Sequence, residues 1–123
     1  MIATIEDIII VRDIVNVETL NDLAEKWHHV LIKGVVDIKQ GIVALGGEWH
    51  MDANNLLIEN GSQQSDIWGF NIYKDETGED ALEYISLINI RPAQNNRSME
   101  VEDDSIKNKM KEIIQKIVPY LGL

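Results

Sequence analysis

Only three residues, Lys39-Gln40-Gly41, separate the two most β-rich runs of the chain, residues 30–38 and 42–46. A parallel crossover needs about a dozen residues or more. Two strands joined this tightly must pair antiparallel, with Gly41 at the strained turn position. This hairpin excludes an all-helical bundle and a purely parallel, doubly wound sheet. Gly46-Gly47 then marks a bulge or a strand exit.

Three further runs extend the sheet. Residues 5–12, rich in Ile and Val, suit a buried strand, and 67–73 alternates Trp68, Phe70 and Ile72 against Ile67, Gly69, Asn71 and Tyr73. Residues 82–91 read as the next strand, closing a hairpin across the charged loop 74–80. One face would carry Tyr84, Ser86, Ile88 and Ile90, the other Ile85, Leu87, Asn89 and Arg91. Pro92 ends it, since proline cannot donate to a ladder, and residues 93–100 form a polar loop.

Two segments switch to helical periodicity. Val17, Leu20, Leu23, Ala24, Trp27 and Leu31 form one apolar stripe, giving a helix at about residues 17–28 with Asn16 as N-cap and Glu18 in the first turn. Ile106, Met110, Ile113, Ile114, Ile117 and Val118 define a second helix at about 104–118, stopped by Pro119. A short helix at 53–59, capped by Asp52 and closed by Asn60-Gly61, competes with a strand. The sum is a single compact α+β domain spanning residues 1–123. Its mostly antiparallel sheet of four to five strands carries two amphipathic helices on one face. One-sided covering leaves the other face partly open, the place to look for a ligand or for a second copy of the chain in a homo-oligomer.

Composition narrows the partners. Eleven Lys and Arg against 21 Asp and Glu give a formal net charge of -10. Phosphate backbones and anionic membrane surfaces repel such a chain, so neither a nucleic-acid nor a membrane partner is expected. There is no cysteine, which removes disulfides, thiolate metal sites and cysteine nucleophiles. Met1 to Glu6 lacks a basic leader, and the apolar run 8–11 is far shorter than the ~20 residues of a membrane span. A cytoplasmic location is the expectation.

Polar residues inside predicted strands are the first candidate site. Asp37, Asn71, Asn89 and Arg91 would line the open face as an Asp–Arg pair with two amides, suited to a small polar or anionic ligand. The plainer reading is a set of satisfied structural polar groups. The segment Arg91-Pro-Ala-Gln-Asn-Asn-Arg-Ser98 adds Asn95, Asn96 and Arg97, and paired guanidinium donors recognise carboxylate or phosphate. Here the structural alternative is neutralisation of Glu100, Glu102 and Asp103. Third, Glu48, His50 and Asp52 alternate on one side if their segment is extended, offering oxygen and nitrogen ligands to a divalent metal. They match no established metal motif, and no cofactor is expected. His28-His29 at a helix end needs no function.

Three stretches carry a resemblance: Val36-Asp-Ile-Lys-Gln-Gly-Ile-Val-Ala-Leu-Gly-Gly-Glu-Trp-His50, Gly61-Ser through Trp68-Gly-Phe-Asn-Ile-Tyr73, and Leu87-Ile-Asn-Ile-Arg-Pro-Ala-Gln-Asn-Asn-Arg-Ser98. Over most of residues 30–118 the chain is similar to a family of small bacterial and archaeal proteins catalogued as a domain of unknown function. The resemblance implies one compact domain and brings no catalytic residue.

Two function classes follow. One is a small binding or regulatory module, acting on an anionic ligand or a protein partner. The other is a metal-assisted hydrolase using Glu48, His50 and Asp52, which still lacks a visible general base and electrophile in one cleft. The charge pattern favours an anion near residues 84–98, which carry Arg91 and Arg97 and no acid. That basic island lies between 66–83, with six acids against Lys74, and 99–104, with four acids.

Overall fold

A computed structural model describes residues 7–123. The chain runs β1 (Ile9–Val11), α1 (Val17–Lys26), β2 (Leu31–Asp37), β3 (Ile42–Leu45), α2 (His50–Glu59), β4 (Ile67–Tyr73), β5 (Leu82–Glu83) and α3 (Asp104–Ile117). Short 3-10 turns punctuate the connections. The strands form one sheet in the order β1-β3-β2-β4-β5, every pair antiparallel. The β2–β3 hairpin expected from Lys39-Gln40-Gly41 is present, with Gly41 at φ 72°. Ile5 and Glu6 of the first predicted strand lie outside the described residues.

Register sorts the sheet into two faces. Gly34 stands opposite Leu45 and Phe70, and Val36 opposite Val43 and Trp68, so these point one way with Ile32 and Ile72. They pack against Leu20, Leu23 and Ala24 of α1 and against Met110, Ile114 and Ile117 of α3. A Cβ at Gly34 would stand 2.4 Å from Cζ of Phe70, so glycine here lets that ring lie across β2. Asn16 caps α1 through a 2.8 Å bond from the Thr19 N–H, and Asp103 caps α3 by accepting from Ser105 and Ile106. Both helices thus sit on one face, as their stripes require.

The second face is not open. Val35, Ala44, Ile42 and Ile67 form a separate core with Ile8 and with Ala53 and Leu57 of α2. The short segment expected at 53–59 is a full helix that starts three residues earlier, at His50. Asp52 is therefore not the cap. It lies inside the first turn, and its carboxylate accepts from the Trp49 N–H at 3.2 Å. The polar residues assigned to an uncovered face accordingly lie beneath, or at the margin of, a second layer.

Residues 82–91 also depart from the expected strand. Only Leu82 and Glu83 pair with β4. Beyond them Ile85 bridges to Glu100, a 3-10 turn spans Leu87–Asn89, and Arg91 bridges to Asn96. The cause lies at Gly69. Ser86 rests on this glycine so closely that an added Cβ would be 2.5 Å from the Ser86 Cβ. The chain crosses over the sheet there, and no backbone remains beside β4 to continue the ladder. The side chain of Asn89 substitutes for it. Its Oδ1 accepts the Gly69 N–H at 2.8 Å, and its Nδ2 donates to the Gly69 carbonyl at 3.1 Å.

Gly69→Ala should lower stability by about 1–3 kcal/mol, the usual cost of overpacking, read as a shift in the urea midpoint. Adding Ser86→Gly should restore part of that loss. Ser86→Ala should restore none, because its Cβ keeps the clash.

Candidate functional site

At the N-terminal end of α2 the second layer does not close. A pocket of about 350 Å³ opens there, lined by Lys33, Trp49, His50, Met51, Leu87 and Ile88. Lys33 comes from β2, opposite Asn71 of β4. Trp49 caps α2, and His50 and Met51 begin it. Leu87 and Ile88 come from the turn that crosses Gly69. Trp49, Met51 and Leu87 are 61%, 46% and 67% exposed, so three large apolar side chains face solvent around one hollow. Exposed apolar groups gathered at a concavity mark binding surfaces more often than scattered ones do.

His50 forms part of the buried stripe of α2 with Ala53, Asn54 and Leu57. Its Nε2 lies 2.8 Å from the Phe70 carbonyl. A carbonyl only accepts, so Nε2 carries the proton and Nδ1 is left as an acceptor. Burial is the main influence holding the imidazole below its ordinary pKa. The Phe70 carbonyl and the Asn71 side chain oppose that, while the positive charge of Lys33 reinforces it. Asn71 donates through Nδ2 to Glu83 at 2.8 Å and to the Ile85 carbonyl at 3.2 Å. Its Oδ1 is buried without a hydrogen-bond partner. Lys33 has no carboxylate within 4.0 Å among the described residues. Its ammonium lies 5.2 Å from the centroid of the Trp49 ring.

The residues singled out in the sequence disperse. Asp37 is fully buried at the β2–β3 turn, where Oδ1 accepts from the Lys39 and Gln40 N–H groups at 2.9 and 3.0 Å and Oδ2 from the Gln40 amide at 2.8 Å. Burial would raise its pKa. The Ser62 hydroxyl and the Gln40 and Lys39 donors together outweigh that and lower it. Arg91 donates to the carbonyls of Ile88, Gln64 and Ile67 and to Gln94 Oε1, with its guanidinium 4.3 Å over the Trp68 ring. Its fork is closed on the chain's own backbone, without the paired free donors that bidentate anion recognition uses.

Asn96 donates to the carbonyls of Asn89, Ser98 and Glu100 and accepts the Glu102 N–H at 2.8 Å. Asn95 is the exposed left-handed residue of the tight turn between Arg91 and Asn96, at φ 61°. Arg97 is exposed, and its N–H donates to Glu102 at 2.6 Å. These groups hold a segment without regular structure in place. Of the predicted ligand residues, only Asn71 meets the pocket's own machinery, through His50.

Glu48, His50 and Asp52 do not converge either. His50 points into the core, Asp52 turns back to Trp49, and Glu48 is exposed, offering its backbone carbonyl to His28 Nε2 at 3.0 Å. Helix formation from His50 onward breaks the alternation that would have aligned them. Among the described residues no three His, Asp or Glu side chains are grouped to hold a metal ion. Sequence reasoning missed Lys33, Trp49, Met51, Leu87 and Ile88. The available signal was a surplus: Leu87, Ile88 and Ile90 place apolar groups on both faces of a segment that could bury only one.

His50 makes stability depend on pH in a defined direction. Below about pH 6.5 the unfolded chain takes up a proton that folded His50 resists, so stability falls as pH falls through this window. The lowered carboxyls of Asp37, Glu25, Glu102 and Asp103 lose their contribution only below about pH 4.5. Thermal melts between about pH 7.5 and about pH 5 should show a declining Tm. In His50→Gln, whose amide can still donate to Phe70, most of that decline should disappear.

No helix among the described residues is long and apolar enough to cross a membrane. No curated protein and no solved structure matches the chain significantly. A family model does match, over residues 9–117 and so across nearly the whole sheet and all three helices. The chain belongs to the family described as protein of unknown function (DUF5674).

Proposed function

We propose that the chain is a binding module for a small, mainly apolar ligand, held in the pocket between the start of α2 and the turn at Leu87. The observation that carries this reading is the concentration of exposed Trp49, Met51 and Leu87 around one hollow of about 350 Å³. That size lies at the small end of the roughly 300–1,000 Å³ typical of ligand pockets. The residues beneath are rigidly placed, with His50 tied to Phe70 and Asn71 tied to Glu83 and Ile85. A preformed site loses less ordering entropy on binding.

The surroundings support the same reading. A net charge of -10 speaks against a nucleic-acid partner. A chain without cysteine suits a reducing cytoplasm. α2 covers the apolar face that a second copy would have buried, which weakens the case for a homo-oligomer through that face. The hydrolase reading on Glu48, His50 and Asp52 gains no support from their placement.

Titration with N-phenyl-1-naphthylamine, a neutral apolar fluorophore, tests the pocket. Saturable binding at one site is expected. Leu87→Asp and Met51→Asp, both at exposed positions and checked for folding by circular dichroism, should each weaken it about tenfold, roughly 1.4 kcal/mol. Non-saturable binding, or binding that neither substitution changes, would overturn the proposal.

A further inference from the structure

Resting on that reading of the pocket, we infer that its ligand is a small organic anion: an apolar body ending in a single carboxylate, which Lys33 receives. Lys33 lies in the middle of β2, half-buried at the pocket wall. Acids outnumber bases 21 to 11 in this chain, yet no carboxylate stands within ion-pair distance of Lys33 among the described residues. Three other lysines do have such partners: Lys26 with Asp7, Lys74 with Glu25, and Lys107 with Glu100. Of the four that also lack one among the described residues, Lys39, Lys109 and Lys116 are exposed to solvent and Lys111 is half-buried. The Trp49 ring attracts the ammonium but accepts no conventional hydrogen bond, so its N–H donors remain available to an oxyanion.

The pocket's composition selects the sign and the number of charges. Among the described residues its lining contains no Asp or Glu, so an incoming cation finds no counter-ion there. Trp49, Met51, Leu87 and Ile88 supply apolar walls, and less polar surroundings strengthen the attraction of Lys33 for an anion. The remaining polar side chain, His50, is held neutral with Nε2–H engaged by Phe70. One cation and no second positive side chain match one negative charge, a carboxylate rather than a phosphate dianion.

A second hollow gives the contrast. Near Tyr84 it holds Lys107 and Lys111, but Glu79 and Glu100 line it too, and Lys107 is already 3.0 Å from Glu100. Lys107 there is neutralised by the chain itself, although Lys111 has no carboxylate within 4.0 Å among the described residues. At the α2 pocket no carboxylate among the described residues does this for Lys33.

Four probes with the same phenyl body separate the outcomes: 3-phenylpropionate, 3-phenylpropanamide, phenyl phosphate and 3-phenylpropylamine. Binding is followed by amide chemical-shift titration of the full chain at neutral pH. The carboxylate should bind at least tenfold more tightly than the amide, and the amine most weakly. Lys33→Met should remove that preference, so that carboxylate and amide bind alike, and Lys33→Arg should retain it. Added salt should reduce the preference in the wild type. Equal affinity for carboxylate and amide, or a preference that survives Lys33→Met, would overturn the anion assignment and leave the apolar pocket standing. Tighter binding of phenyl phosphate would overturn the assignment of a single charge. Failure of all four probes to bind would remove the pocket reading itself.

Discussion

The fold depends on how the outer edge of β4 is closed at Gly69. An uncovered edge strand presents unpaired N–H and C=O groups, each costly if buried and prone to pair with another chain if exposed. β5 covers only the stretch at Asn71 and Ile72. At Gly69 the side-chain amide of Asn89 takes over, since a carboxamide offers the same donor and acceptor as a peptide group. This substitution allows the chain to leave the strand path at Ser86 and cross the sheet. Asn96 then secures the crossing by donating to the Asn89 carbonyl at 2.7 Å, and Arg91 pins its far end to Ile67 and Gln64. A buried amide network of this kind is worth having only when each member is satisfied, and Asn89 and Asn96 both are.

Two features of the second layer follow. The crossing segment delivers Leu87 and Ile88 to the second face instead of extending the sheet. α2 delivers Ala53 and Leu57 to the same face from the other side. The first face is built differently, from two long amphipathic helices over Trp68, Phe70 and Ile72. The result is a sheet covered on both sides but unequally, with a continuous core on one side and a layer assembled from a helix and a turn on the other.

This inequality explains what could be read in the sequence. α1, α3, the β2–β3 hairpin and β4 announce themselves through strong periodicity and local turn chemistry, which act over a few residues. The Asn16 cap and the Gly41 turn belong to the same class. The second face depends instead on long-range contacts. Nothing local distinguishes Asn89 pairing with Gly69 from Asn89 awaiting a ligand, because the donors and acceptors are identical. Arg91 and Arg97 looked like a basic island for the same reason. One is turned onto backbone carbonyls, and the other sits beside Glu102. The start of α2 was hidden because Asp52 acts from inside the first turn rather than from the cap position.

Lys33 shows why the second layer ends where it does. On β2 it shares the second face with Val35 and Asp37, opposite Asn71. An ammonium cannot be roofed by apolar side chains without a partner, because the desolvation is not repaid. Asn71 offers no charge, and its Oδ1 makes no hydrogen bond to the ammonium or to any other group. The layer must therefore stop at Lys33. α2 begins just beyond it with Trp49 and His50, and the crossing turn passes on the other side with Leu87 and Ile88. The apolar side chains at both margins are left exposed around the charge instead of meeting over it. The pocket thus lies where one lysine interrupts the apolar packing of the second face. The desolvation of a lysine at the wall of this hollow is offset when its counter-charge comes from outside the chain.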